Sequence, residues 1–449
     1  MQRWTTVPLI AGALLLAIRE RPAILASPYT LIDAALVAWL LLAGLMLVPV
    51  SARTRLAIAP ASATLDRTLY LDTPAEPAGA PARPLSIDPA ATNWALAVGG
   101  ALVLLFWSAR EIVARGGLRA TARGIGWLGL ALSALALVQH GTAPNLLYWT
   151  IRPIGRKPMP FGPFVNRNDL ATWLIMAVPL VAGYAIARVE SRRRAGTKGL
   201  DLEATLDATA LWLAASVLFM IATLLVAISR SGLMGAIVGV AGLMWLARRR
   251  MGRAGVGWLA AVLASVVAVA ATYASWNALA TRVEETLNVG IGGRREIWDR
   301  TWAMASDFWV TGVGVGAYER AMTVYQKQPH VFYFNHAHNE YLQLLAEGGV
   351  VLGVPAAIAL AAGAWQIWRH VSADRTAVFW IRAGAASGML AVAVQSVWDT
   401  GLRMPANAVL FALLAAIAIH DGSRSAQASG AERHRTAEER RNHFGAPRA

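Results

Sequence analysis

Apolar runs of about twenty residues recur along the chain and alternate with polar segments. A helix of that length crosses the hydrocarbon core of a bilayer, because each residue adds about 1.5 Å. The pattern therefore predicts an all-α, polytopic membrane protein with about 11–12 transmembrane helices. Spans are predicted at residues 5–18, 30–50, 94–109, 124–138, 169–187, 208–228, 232–247, 256–275, 349–368, 380–398 and 405–420.

The composition agrees with a membrane protein, since 56% of the residues are hydrophobic and 15% are charged. No Pro/Ser-rich linker divides the chain, so residues 1–420 are predicted to form a single multi-span domain. Residues 421–449 are polar and rich in Arg, Ala and Glu, and we expect a disordered cytoplasmic tail there. Cysteine is absent, so neither disulfides nor cysteine-ligated metals stabilise the protein.

Basic residues predict the orientation of the helices, because short loops rich in Lys and Arg stay in the cytoplasm. Three basic groups fall between predicted spans on the same side as the tail. The net charge of +15 is therefore a topological signal, and no aromatic or Gly-rich module accompanies it that would indicate nucleic-acid binding. The groups are Arg110, Arg115, Arg119 and Arg123; Arg188, Arg192, Arg193, Arg194 and Lys198; and Arg248, Arg249, Arg250 and Arg253.

The chemically suggestive residues lie on the opposite side, which this orientation assigns to the periplasm. Residues 276–348 form a long periplasmic loop there, together with the segments 51–93 and 139–168. Four helices are predicted to begin at this surface, and the unpaired N–H groups at such helix ends favour bound anions. Each of the four beginnings carries an Arg or a His, namely Arg167, Arg230, His338 and Arg403.

Arginines near two of the span ends are candidate anion ligands. Arg230 lies in the short turn SRSG between two apolar spans, and it either clamps a diphosphate or extends to phospholipid headgroups. Arg294 and Arg295 follow the glycines of GIGGRREIWDRTW, at the start of a predicted amphipathic helix. Their guanidinium groups either face a headgroup or pair with Glu296 or Asp299.

The segment HAHNEYLQLLAEGG places His336 and His338 before Asn339 and a predicted helix. Imidazole titrates at about 6.5, and a helix N-terminus disfavours its protonated form, so His338 is a candidate general base. A purely structural role is the alternative. The spacing of the two histidines suits metal ligation, but no third His or Cys completes a ligand set, and we expect neither a metal nor another cofactor.

Four motifs in this order, PFVNRND, SRSG, GGRREIW and HAHNEYLQLLAEGG, resemble those of the O-antigen ligase and O-antigen polymerase superfamily of bacterial inner-membrane glycosyltransferases. The resemblance covers residues 85 to about 405. It implies transfer of a glycan from undecaprenyl diphosphate to an acceptor hydroxyl at the periplasmic face, without metal or nucleotide. The implied acceptor is lipid A-core in a ligase or a growing glycan in a polymerase.

The resemblance also implies roles for individual residues. His338 matches the histidine proposed to activate the acceptor hydroxyl, and Arg230 matches an arginine implicated in diphosphate binding. Arg294 or Arg295 matches a second arginine, and we favour Arg294 because it directly follows the glycines. Further candidates for supporting roles are His336, Asn339, Arg167, Arg403 and Asp399.

One feature departs from the family pattern, which usually has Gly-x-x-Gly after the helix start. Here Gly349 is followed by Gly353, so the packing of the predicted ninth span is in question. A transporter or flippase for the same lipid is the alternative from another class, but it needs polar groups at the bilayer midplane, where the predicted spans are nearly free of charge. Between ligase and polymerase, which differ in the acceptor, we favour the ligase.

Overall fold

The computed structural model describes residues 2–69, 82–152, 161–194, 207–227, 229–248, 250, 291–326 and 334–421. This part of the chain is almost entirely helical, which confirms the prediction of an all-α polytopic membrane protein. Within it, five helical segments are long and apolar enough to cross a membrane: Pro89–Thr142, Arg167–Arg194, Ala208–Ala227, Glu340–Ala373 and Val378–Gln395. Three shorter apolar helices are Thr30–Leu45, Ser231–Ala247 and Pro405–Ala418.

The helices are numbered here in chain order. They are α1 (Gln2–Glu20), α2 (Thr30–Leu45), α3 (Ala52–Ile58), α4 (Ala61–Leu69), α5 (Pro89–Ile112), α6 (Leu118–Thr142), α7 (Arg167–Arg194), α8 (Ala208–Ala227), α9 (Arg230–Ala247), α10 (Ile291–Asp307), α11 (Tyr318–Tyr325), α12 (Glu340–Ala373), α13 (Val378–Gln395) and α14 (Pro405–Ala418). Two short antiparallel strands, β1 (Pro49–Val50) and β2 (Arg83–Pro84), pair with Pro49 opposite Pro84 and Val50 opposite Arg83.

Every predicted span except 256–275 overlaps one of these helices. That span and the tail from residue 422 onward lie outside the described residues. The expectation of a polar loop between α5 and α6 is wrong, because a π-helical turn, Val113–Gly117, joins the two helices. The helical conformation breaks within this turn at Gly116, which has a φ of 96°. Arg110, which was expected in that loop, is a buried residue of α5 whose Nη1 contacts Asp33 Oδ1 of α2 at 2.7 Å.

Small residues let the central helices α7, α9 and α13 approach one another closely. A Cβ at Gly384 of α13 would overlap the carbonyl oxygen of Pro179, and one at Gly388 would overlap that of Met176. Gly235 of α9 likewise lies against Ile175. This packing explains the glycine spacings of these helices, because a small side chain permits backbone contact that larger residues would block.

The three basic groups meet at one end of the helices. Arg119 of α6 lines a small cavity together with Arg188 of α7. Arg188 Nε donates to Asp207 Oδ2 at 3.1 Å, and Arg250 Nη1 donates to the carbonyl of Thr376 at 2.9 Å. Helix α7 contains 28 residues, so its N-terminus lies about 42 Å from this basic end.

The other end of the helices is covered by a layer built from α3, α4, α10 and α11. Its core contains Leu65, Ile87, Met304, Phe308 and Tyr318, all of them buried. The backbone N–H of Ile87 donates to the carbonyl of Val313 at 2.9 Å, which joins segments far apart in sequence. The described part of 276–348 is therefore mostly helical and packed. Helix α10 contains the helix predicted in GIGGRREIWDRTW, whereas α11 was not predicted.

Helix α12 is broken at Gly349, whose φ of 56° lies in the left-handed region. Residues 309–314 cross the helix at this point. The backbone N–H groups of Val350 and Val351 donate to the carbonyls of Trp309 and Val310 at 2.8 and 3.0 Å. The predicted ninth span thus begins at the break, and a short helix that starts at Glu340 precedes it.

Gly349 and Gly353 of α12 differ in their structural demands. A side chain at Gly349 would adopt a strained backbone and overlap the carbonyl of Val310, whereas nothing lies within 4 Å of a Cβ built on Gly353. We expect Gly349→Ala to lower the free energy of unfolding by about 1–3 kcal/mol or more. Gly353→Ala is the control and is expected to be neutral or slightly stabilising. Thermal unfolding in detergent measures both, and equal midpoints would contradict the assignment.

Candidate active site

Polar side chains hold the start of α9 against the segment that follows α13. Ser229 caps α9, and its Oγ accepts from the backbone N–H of Gly232 at 3.2 Å. Ser231 Oγ donates to Asp399 Oδ2 at 3.0 Å and accepts from Gln395 Nε2 at 3.3 Å. These bonds place Arg230, the first residue of α9, beside the buried Asp399 carboxylate at the level of the backbone. The side chain of Arg230 lies outside the described part of the structure.

The start of α7 lies against the start of α14. Asn407 Nδ2 donates to the carbonyl of Asp169 at 3.0 Å and to that of Gly401 at 2.8 Å. The Asp169 carboxylate is close enough to Asp399 for the two charges to interact. Arg167 is the first residue of α7, so it too lies at this convergence of helix ends.

The start of α12 is fixed by a cap and by two neighbouring segments. Asn339 is the N-cap, and its Oδ1 accepts from the backbone N–H of Leu342 at 3.0 Å. The backbone N–H of Glu340 donates to the carbonyl of Ser396 at 2.9 Å. All four helix beginnings predicted to share one surface therefore meet in space, and Asn339 serves the helix as a cap.

Arg403 joins this region to α12 through two carboxylates. Its Nε contacts Glu340 Oε2 at 3.2 Å, and its Nη1 and Nη2 contact the two oxygens of Glu347 at 3.3 and 3.2 Å. Glu347 is only 2% exposed, so the pair is desolvated and its geometry is specific. The guanidinium charge is thus balanced by carboxylates of the protein itself, and Arg403 ties the segment before α14 to α12.

Two opposite charges act on His338, which has a left-handed backbone with φ of 50°. Burial lowers the pKa of its imidazole, the Asp399 carboxylate raises that pKa, and the Arg294 guanidinium lowers it. The balance lowers the pKa below its ordinary value of about 6.5, so the ring is neutral at neutral pH. A neutral imidazole is able to accept a proton.

His336 differs from His338 in its surroundings. Burial, followed by the charges of Arg403 and His338, lowers the pKa of His336 to about 4. Its Nδ1 is buried and makes no hydrogen bond. His336, which lies in the same loop as His338, therefore stays neutral over the whole physiological pH range.

The two arginines at the start of α10 point to different environments. Arg294 is half-buried and interacts electrostatically with His338, whereas Arg295 is exposed. Trp298, one turn after Arg294, donates from Nε1 to the carbonyl of Ala337 at 3.0 Å. The segment 336–338, which we call the histidine loop, precedes α12. The bond directs the helix face that carries Arg294 toward this loop, because residues four apart share one face.

Sequence reasoning missed several buried polar residues of this site. Gln343 and Glu347 are four apart on α12, and Gln395 and Asp399 are four apart at the end of α13. Only Asp399 was named as a candidate. Polar residues spaced four apart at an apolar helix end share one helix face, and this spacing is the signal that could have identified the others.

The geometry describes a membrane protein with an imidazole, carboxylates and a guanidinium gathered at one end of its helices. The family model described as O-Antigen ligase matches residues 215–357, which include Arg294 and His338. This match supports membership of the chain in the O-antigen ligase superfamily, as the motifs indicated, and with it a general function of the O-antigen ligase or polymerase type. No curated protein matches the chain.

The ion pair of Arg403 generates a prediction about stability. Arg403→Met leaves the buried Glu347 carboxylate without its cation, so we expect a loss of about 3–5 kcal/mol in the free energy of unfolding. Arg295→Met removes an exposed arginine and is expected to change stability by less than about 0.5 kcal/mol. Thermal unfolding in detergent measures both variants. A small effect of Arg403→Met would show that the pair does not hold the site together.

Proposed function

We propose that this protein is a glycosyltransferase that moves a glycan from undecaprenyl diphosphate to an acceptor hydroxyl at the periplasmic face of the bacterial inner membrane. One observation supports this activity above the others. The neutral imidazole of His338 and the Arg294 guanidinium, which acts on it electrostatically, both lie within the family match. A base beside a cation is what a transfer from a diphosphate donor requires.

In the proposed reaction, the oxygen of the acceptor hydroxyl forms a bond to the anomeric carbon of the donor glycan. The hydroxyl proton passes to the imidazole of His338. The bond between the anomeric carbon and the diphosphate oxygen breaks, and undecaprenyl diphosphate leaves with the electron pair. The products are the glycosylated acceptor, undecaprenyl diphosphate and a proton that returns to solvent from His338.

The two charges that act on His338 have different roles in the proposed reaction, one in proton transfer and one in departure of the diphosphate. Asp399 stabilises the imidazolium that forms when the proton arrives. Arg294 stabilises the negative charge that develops on the leaving diphosphate, since guanidinium groups donate in pairs to phosphate oxygens. By resemblance, Arg230 at the start of α9 is the second diphosphate ligand, and Arg167 at the start of α7 is a further candidate.

The orientation of the site follows from the distribution of arginines. The basic groups gather at one end of the helices, and the candidate site lies at the other. Because basic loop residues stay in the cytoplasm, this distribution supports a site on the periplasmic side. The proposed partners are the lipid-linked glycan donor, membrane lipids and either lipid A-core, for a ligase, or a growing glycan, for a polymerase. We favour the ligase.

The central test is replacement of the base. Asn tolerates the left-handed backbone of His338 but accepts no proton, so His338→Asn should abolish transfer and leave folding intact. The purified protein is supplied with undecaprenyl-diphosphate glycan and lipid A-core, and the glycosylated product is measured by mass spectrometry. Native turnover by this variant would refute the role of His338. Elongated lipid-linked glycan as the product of the wild type would indicate the polymerase.

Arg294 and Arg295 form a matched pair for the role of the cation. Arg294→Gln should lower kcat/KM for the donor by about 10²-fold, because a guanidinium beside the leaving group is lost. Arg295→Gln should retain most activity, since this side chain is exposed and makes no assigned contact with the site. The same transfer assay measures both. Equal losses would show that the helix face carrying Arg294 has no special role.

The pH dependence of kcat/KM tests the charges around His338. The base is active above its pKa, so the wild-type rate should fall only as the pH drops below about 6.5. Arg294→Gln removes a charge that lowers this pKa, so the acid limb should move to higher pH. Asp399→Asn removes a charge that raises it, so the limb should move to lower pH. Shifts in the same direction for both variants would contradict the arrangement.

A further inference from the structure

Both backbone polar groups of Ala337 are bound by side chains from two different helices. Trp298 Nε1 of α10 donates to the carbonyl of Ala337 at 3.0 Å. The N–H of Ala337 donates to Gln343 Oε1 of α12 at 2.9 Å. Ala337 is completely buried and lies between His336 and His338. These two bonds, which we call the Ala337 clamp, fix the peptide that precedes His338.

The orientation of the Gln343 amide is determined by its neighbours. Gln343 Nε2 donates to Glu347 Oε1 at 3.0 Å. The Glu347 carboxylate is held by two nitrogens of Arg403 and only accepts hydrogen bonds, so the amide must turn its NH₂ toward it. The amide oxygen is then left for the N–H of Ala337. A chain of contacts thus runs from Arg403 through Glu347 and Gln343 to the histidine loop.

The left-handed backbone of His338 requires support from neighbouring residues, which the Ala337 clamp supplies. A non-glycine residue in the left-handed region is strained, and it persists where the surrounding structure fixes it on both sides. The Ala337 clamp fixes the residue before His338, and Asn339, the cap of α12, fixes the residue after it. A loosened clamp would let His338 return to an unstrained backbone and carry its ring away from Asp399 and Arg294.

We propose that Trp298 and Gln343 are positioning residues, which hold His338 in its left-handed conformation, within the electrostatic influence of the Asp399 carboxylate and the Arg294 guanidinium. The proposal rests on the function proposed above for His338. Trp298 has a second effect, because Arg294 lies one turn before it on the same helix. The bond from Trp298 to Ala337 therefore also sets the position of Arg294 relative to the imidazole.

The clamp can be tested without any assay of transfer. Trp298→Phe removes the indole donor, and Gln343→Met removes the amide at nearly constant volume. Trp302→Phe is the control on α10, since its side chain is 61% exposed. Gln366→Met is the control on α12, since Gln366 is also buried and also bonds to a backbone group, the carbonyl of Pro28, near the opposite end of that helix.

The readout is the rate at which diethyl pyrocarbonate modifies His338, followed by tandem mass spectrometry as a function of pH. Only the neutral imidazole reacts, so the midpoint of the pH profile reports the pKa of His338. The groups that face His338 are Asp399, Arg294 and His336. Loosening exposes the ring and moves it away from Arg294, so both clamp variants should react faster and with a midpoint nearer to 6.5. The two controls should match the wild type.

Transfer kinetics give a second readout. A displaced base slows the chemical step, so kcat should fall by about 10²-fold in the clamp variants, with little change in the KM of the donor. Gln343→Glu turns a carboxylate toward Glu347 and should also be impaired.

The outcomes separate the clamp from the proposed function. Modification of His338 at the wild-type rate and midpoint in both clamp variants would overturn the positioning role, whatever the enzyme transfers. The second outcome is that the clamp variants and controls show the expected modification profiles, but the wild type transfers no glycan to lipid A-core or to a second lipid-linked glycan. That outcome would support the clamp and refute the proposed function. If Trp298→Phe does not fold, the Gln343 variants alone decide.

Discussion

A buried carboxylate requires a cation, and the candidate site depends on the pair that Glu347 makes with Arg403. Glu347 lies on α12, between the histidine loop and the break at Gly349, whereas Arg403 lies in the turn before α14. Their bidentate contact ties the two segments together in a desolvated region, where a missing partner would be expensive. This pair also stabilises the position of the histidine loop, because Gln343 connects Glu347 to the peptide before His338.

Two kinds of packing place this polar region at one end of an apolar helical body. Small residues bring α7, α9 and α13 into close contact, and this contact fixes where those helices end. The layer of α3, α4, α10 and α11 covers the same end, and residues 309–314 enter the break in α12. The candidate catalytic groups therefore come from helix ends and loops, while the long apolar helices provide a rigid support.

The helices were predictable from the sequence because apolar runs of membrane length leave little choice of structure. The convergence of four helix beginnings was predictable too, since topology places alternate span ends on one surface. The roles within the site were not. Nothing in a linear pattern shows that Arg403 is neutralised by Glu340 and Glu347, since those contacts join residues more than fifty positions apart.

The covering layer illustrates the same limit. Residues 276–348 look like a polar loop because their apolar positions are scattered at helical spacing and never form a long run. Met304 and Phe308 are buried in a cluster that also contains Ile87, which a distant segment supplies. The prediction for Arg110 was wrong in the opposite direction. A basic residue near a span end suggests a loop, whereas Arg110 is buried because Asp33 of α2 pairs with it.

The charge of Arg294 makes the imidazole of His338 a weaker base in the free protein. An anion that binds this guanidinium cancels much of that influence and increases the proton affinity of the ring. In the proposed reaction, arrival of the pyrophosphate would thus prime the histidine before the nucleophile enters. Electrostatics alone would then favour an ordered addition of the two substrates, with the lipid-linked sugar first.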